Sequence, residues 1–123
     1  MFEFKKSSWS HQLLRSQSSG EEYSSSQVLV DSANSKDFFV HHEIVQPGRS
    51  TSAPHFHKTT DEFVYVTKGE ISAIEGDKTR VLSEGDCVCF SAASGLKHQL
   101  RNTSEFVAEV LIVKRNEKND VVF

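Results

Sequence analysis

Four residues in this sequence have the types and spacing to hold a divalent metal ion. His55 and His57 are two apart. In an extended strand that spacing puts both imidazoles on one face, roughly 6–7 Å apart at the backbone. From there two side chains can converge on one ion at about 2.1 Å. Glu62 follows five residues after His57. In one unbroken strand an odd offset would turn it the other way. The intervening Lys58-Thr59-Thr60-Asp61 is polar and turn-prone, so a strand is expected to end there and the chain to re-enter with Glu62, Val64 and Val66 facing inward. Asp61 would take the place of Glu62 if that register slipped by one. His98 opens a later run ending at Asn102, in which His98 and Leu100 share a face. Three imidazoles and a carboxylate form a borderline donor set that suits one divalent transition metal, Mn, Fe, Co, Ni or Zn, without choosing among them. On an octahedral ion four protein ligands leave two positions for water or substrate; on tetrahedral zinc they leave none.

The elements that must position these residues are short and apolar. Runs with strand character cover residues 38–45, 62–67, 70–74, 80–82, 87–90, 98–101 and 106–113. Turn signals such as Gln46-Pro47-Gly48, Lys68-Gly69 and Ser83-Glu84-Gly85-Asp86 separate them. Closely spaced strands with glycine-bearing turns predict an all-β sandwich or barrel. No stretch beyond residue 38 keeps a helical period for ten residues. Eleven of the first 36 residues are Ser, a composition that cannot build its own core. Trp9, Leu13, Leu14 and Val28-Leu29-Val30 are nevertheless too apolar for a mere tail. Residues 1–37 are therefore expected to be an extension of short ordered pieces lying on the barrel or on a partner subunit, and residues 38–123 the barrel itself. The charged run 114–120 is expected to fray before Val121-Val122-Phe123. Cys87 and Cys89, two apart in an apolar run, are expected to be small buried residues; a C-x-C metal pair has no second pair to complete it.

Two segments resemble known motifs. Gly48 through His55-Phe-His57, Glu62 and Gly69 is similar to the first cupin motif, with complete spacing from His55 to Gly69 and a leading gap one residue long. Gly85 through Gly95-x-x-His98-x-x-x-Asn102 resembles the second, with Ala93 where that motif has Pro and about two extra residues after Gly85. The resemblance spans about residues 38–113. It implies a double-stranded β-helix, the jelly-roll barrel of cupins, with a Ser-rich N-terminal extension and with His55, His57, Glu62 and His98 as the metal ligands.

Other side chains could reach such a site. His41 and His42 alternate along one run, so one of them should face inward. Tyr65, Arg101 and Glu109 are further candidates for acid, base or substrate contact; Glu109 fits an outer-face charge better than a second interior carboxylate. His11 lies in the Ser-rich segment and is expected to be solvated.

The net charge of −3 and the lack of any long Lys or Arg run argue against nucleic acid as a partner. The apolar runs are too short to cross a bilayer, and the start lacks a signal-peptide apolar stretch, so a cytoplasmic protein is expected. The outward side of Phe63 and Tyr65, together with Trp9 and Val28 to Val30, calls for cover. A twofold homodimer would supply it, as would an N-terminal segment folded over its own barrel. Three functions fit: a metal enzyme acting on an oxygen-rich small molecule, a ligand-binding or sensor module using the same open position, and a structural metal clamp.

Overall fold

The computed structural model describes all 123 residues. Nine strands form it: β1 (Gln12–Arg15), β2 (Glu22–Val30), β3 (Phe38–Val45), β4 (Glu62–Lys68), β5 (Glu70–Glu75), β6 (Lys78–Ser83), β7 (Cys87–Phe90), β8 (His98–Arg101) and β9 (Ala108–Arg115), with a single 3-10 turn at Lys6–Ser8 and no α-helix. All pairings are antiparallel. A six-stranded sheet in the order β1-β2-β3-β9-β4-β7 faces a three-stranded sheet in the order β6-β5-β8. This is the expected all-β jelly roll.

Two-residue alternation places the core. In β4, Glu62, Val64 and Val66 are buried while Phe63 and Tyr65 are exposed. In β9, Ala108, Val110 and Ile112 are buried. These side chains meet Val45, Ile71, Ala73, Phe90 and Leu100 between the sheets. Because one face is core and the other solvent, a slip of one residue would invert every side chain, so the register is strongly specified.

The N-terminal segment adds two strands to the larger sheet. Within β2, Ser25 pairs with Ile44 and Gln27 with His42. The serine cluster 24–26 therefore lies inside a nine-residue strand, and the hydrogen bonds of β3 supply the order that its composition lacks. Trp9 packs on the His42 ring, centroids 4.5 Å apart, whereas Leu13 and Leu14 stay exposed.

Two local expectations are corrected. Cys87 and Cys89 are exposed, because Phe90 must face the core and the alternation turns both thiols outward, opposite Tyr65 and Phe63. The charged run 114–120 does not fray. Lys114 and Arg115 complete β9, and the chain then docks so that Phe123 N–H donates to the Phe56 carbonyl at 2.9 Å and the two phenyl rings stack at 4.8 Å.

Gly69 joins β4 to β5 with φ +73°, and a Cβ built there would lie 2.6 Å from the Val107 carbonyl oxygen. Both the left-handed backbone and the close approach exclude a side chain. Gly69→Ala is expected to lower stability by about 2–3 kcal/mol, measured by thermal or urea unfolding, with the far-ultraviolet spectrum of the folded state unchanged.

Candidate metal centre

The structure brings together His55, His57, Glu62 and His98. Their ligand atoms all lie within 4.8 Å of one another. His55 and His57 do not sit in a continuous strand; each makes an isolated bridge, His55 to His98 and His57 to Val122. Glu62 begins β4 and His98 begins β8. The cluster therefore closes one end of the barrel, drawing on both sheets and on the loop between β3 and β4.

Two of the imidazoles are held from behind. His55 Nδ1 lies 2.9 Å from the Ala53 carbonyl, and His57 Nδ1 lies 2.7 Å from Asp120 Oδ2. An acceptor at Nδ1 fixes the proton there and leaves the Nε2 lone pair bare. His57 Nε2 is buried and has no hydrogen-bond partner. A buried polar atom without a partner is costly, and an ion at the cluster would satisfy it. The donor set thus fits a divalent transition metal. His98 Nε2 lies 2.7 Å from Glu62 Oε2, and the His98 ring stacks flat on Phe90 at 4.0 Å.

The electrostatics follow from this packing. Burial pushes the Glu62 carboxyl upward. The His57 ring, its Nε2 3.8 Å from Glu62 Oε1, the hydrogen bond from His98, and the charges of His98 and Lys114 outweigh it and hold the group well below the usual carboxylate range. The neighbouring Glu62 carboxylate likewise raises His57, assisted by Asp120 against the opposing burial. Burial lowers His55, and the Ala53 carbonyl only partly offsets it.

Asp120 was not legible as a site residue. It lies 63 positions from His57, at the end of a charged run with no motif around it. It also accepts from the Thr59 N–H and hydroxyl, both at 2.9 Å, and these bonds with His57 depress its carboxyl despite the opposing effect of burial. Ala93 explains a departure from the second motif. Its φ is +56°, a value closed to proline, and its N–H donates to the His57 carbonyl at 2.8 Å, a bond proline could not make. Asn102 stands outside the cluster. Its amide donates to the carbonyls of Val45 and Phe106 and accepts from Ser104, bracing the turn into β9.

The other candidates divide by face. His41 faces inward with Glu43. His42 faces outward, between His11 and Glu109, at 2.8 Å and 3.1 Å. Tyr65 is exposed. Arg101 reaches Ser50 Oγ at 3.4 Å, and Asp61 accepts from the Ala92 N–H outside the cluster.

A family model described as a cupin domain matches residues 41–114. The chain belongs to the cupin family. Its fold is shared with solved cupin structures. A sugar phosphate isomerase from a cupin superfamily of Silicibacter pomeroyi DSS-3 is 29% identical with a TM-score of 0.76, over 81% of this chain and 64% of that one. The polyketide cyclase RemF from Streptomyces resistomycificus is 20% identical with a TM-score of 0.82, over 99% of this chain and 83% of that one. A predicted oxalate decarboxylase from Thermotoga maritima is 19% identical with a TM-score of 0.78, over 94% of this cupin and all of that chain. The cupin described here thus spans about two thirds, 64%, of the isomerase's length. No curated protein matches it in sequence.

Asp120→Asn should weaken metal affinity by about 10–100-fold, measured by competition with a chromophoric chelator, while Asp61→Asn leaves it unchanged. Metal must displace the proton that Glu62 and Asp120 favour on His57. Affinity is therefore full above the raised His57 value and falls as pH drops through it, beginning above the ordinary imidazole value of about 6.5. Titration calorimetry should show affinity declining from about pH 8 to 5, with proton release on binding. In the metal-free protein the same raised value stabilises the fold below about pH 6.5 and is lost as pH rises through it.

Proposed function

We propose that this cupin holds one divalent transition metal at His55, His57, Glu62 and His98 and uses it to bind, and in an enzymatic reading to transform, an oxygen-rich small molecule. The observation that carries this reading is the bare, buried Nε2 of His57, held by a carboxylate behind it and aimed among three other donor atoms. A purely structural histidine would have both nitrogens satisfied. A bound metal would supply Lewis acidity toward a carbonyl or lower the pKa of a coordinated water.

The chain's own residues narrow the ligand class. Lys114 pairs with Glu62 across β9 and β4, and its charge acts on both Glu62 and His57. A cation beside the cluster favours an anionic ligand, such as a carboxylate. Val64 and Leu100 wall the interior behind the cluster with apolar surface, which strengthens polar contacts made there. The isomerase, cyclase and decarboxylase among the structural neighbours act through different reactions, and the shared barrel selects none of them for this chain.

Cobalt(II) tests the reading, because its visible spectrum reports coordination number and ligand exchange. The protein is expected to take up one equivalent, with His57→Ala at least tenfold weaker and His11→Ala unchanged. Oxalate should then produce a saturable spectral change with cobalt retained. An intense four-coordinate spectrum that millimolar oxalate does not alter would instead assign the metal a structural role.

A further inference from the structure

A second polar group is buried inside the barrel, and the metal cluster does not use it. Glu43, on the inner face of β3, is 1% exposed. Its carboxylate accepts from the Ser24 hydroxyl at 2.5 Å, and its other oxygen lies 2.9 Å from His41 Nδ1. A carboxylate this deep, paired across the sheet with Val110, is costly unless its oxygens are satisfied. Ser24 and His41 satisfy both. The acceptor at Nδ1 selects the ring tautomer with its proton on that nitrogen, so Nε2 presents a lone pair. That Nε2 is buried and has no hydrogen-bond partner. Only His57 Nε2 shares this condition.

Register places His41 and Glu62 of the cluster on one interior face. Phe39, Lys114 and Glu62 form one row across β3, β9 and β4; His41, Ile112 and Val64 form the next row inward. The row of Glu62 is thus adjacent to that of His41, two strands or about 10 Å across the sheet. The Phe39 ring lies edge-on to His41 at 5.4 Å, and Lys114 lies over Phe39 at 5.3 Å. A cavity of about 190 Å³ opens at the Phe39 and Lys114 end of this wall, also lined by Thr60 and Asp120; it touches neither His41 nor the four cluster residues.

We infer that His41, oriented by Glu43 and Ser24, is a second recognition point that accepts a hydrogen bond from a hydroxyl of a ligand whose oxygen-rich end sits at the His55, His57, Glu62 and His98 cluster. The ligand class is a hydroxy acid with its carboxylate and neighbouring hydroxyl at the cluster, beside Lys114, and a further hydroxyl along the chain reaching His41 Nε2. In an enzymatic reaction the same lone pair is placed to take the proton of that hydroxyl. The inference rests on the proposed metal reading and adds the ligand's far end to it.

Cobalt-loaded protein titrated with glycolate, tartrate and gluconate tests it by chain length. Glycolate and tartrate reach only the cluster. His41→Asn keeps a donor toward Glu43 and removes Nε2. It should leave glycolate and tartrate affinity unchanged and weaken gluconate about tenfold, the worth of one hydrogen bond to a buried acceptor. His41→Gln, whose amide reaches the Nε2 position, should recover part of the loss. A merely structural His41 would affect all three ligands alike. Equal penalties, or no penalty at any length, would overturn the assignment while leaving the metal reading intact. Failure of wild-type protein to bind cobalt would instead overturn the metal reading and the bridging ligand with it. Nitrogen-15 spectra of zinc-loaded wild-type protein give a check independent of variant folding. The His41 ring should show the proton on Nδ1, and its Nε2 resonance should move with gluconate and stay fixed with glycolate; an Nε2 resonance that gluconate leaves in place rejects the contact.

Discussion

Burial of the Glu62 carboxylate at one end of the barrel constrains the strands around it. A carboxylate that is only 6% exposed cannot sit in an apolar interior unless opposing groups compensate it. Three histidines surround it, from a loop and from the opposite sheet, and Lys114 stands beside it. This requirement fixes the register of β4 against β9. A slip of one residue would bring Asp61 and Phe63 inward and would turn Val64 and Val66 out to solvent. Packing and site chemistry thus demand the same alignment.

Holding the imidazoles takes more chain than the ligands themselves. Ala53 fixes His55, Asp120 fixes His57, and Phe90 fixes the plane of His98. Asp120 can do so because the final residues are tied down by the Phe56–Phe123 ring stack and by the backbone bonds from Lys58 to Val121 and from Phe123 to Phe56. A segment remote in sequence thereby becomes part of the support for the cluster. Such outer contacts orient a metal ligand and raise its basicity.

The two adjacent histidines of β3 show how a period of two divides chemistry between faces. His41 enters the interior with Glu43. His42 anchors the N-terminal segment outside, touching His11, Glu109 and Trp9. Burial lowers the His42 pKa, and Glu109 only partly offsets it. The neutral ring can bridge its two partners, donating to Glu109 while accepting from His11. This contact joins the segment before β1 to the centre of the larger sheet, so the N-terminal strands are bonded to β3 by their backbones and pinned to its outer face by a side chain.

The barrel strands and the candidate ligands are legible in the sequence, because both leave short-range signatures. Alternation within four to eight residues marked β3, β4, β7 and β8 nearly to the residue, and His-x-His with Glu62 and His98 matched two compact motifs. The sequence also shows that one of His41 and His42 must face inward, since a strand's two faces alternate. Tertiary structure decided which one, because the choice depends on pairing with β9: His41 aligns with Ile112 and His42 with Leu111. It decided the outward turn of Cys87 and Cys89, set by the burial of Phe90 beside them. It decided the order in the serine-rich strand β2, whose composition opposes a core but whose backbone finds partners in β3. Asp120 and the Ser24–Glu43–His41 group were decided there too. Their contacts join residues 63 and 19 positions apart, and no local pattern in a chain encodes a meeting that only closure of the barrel brings about.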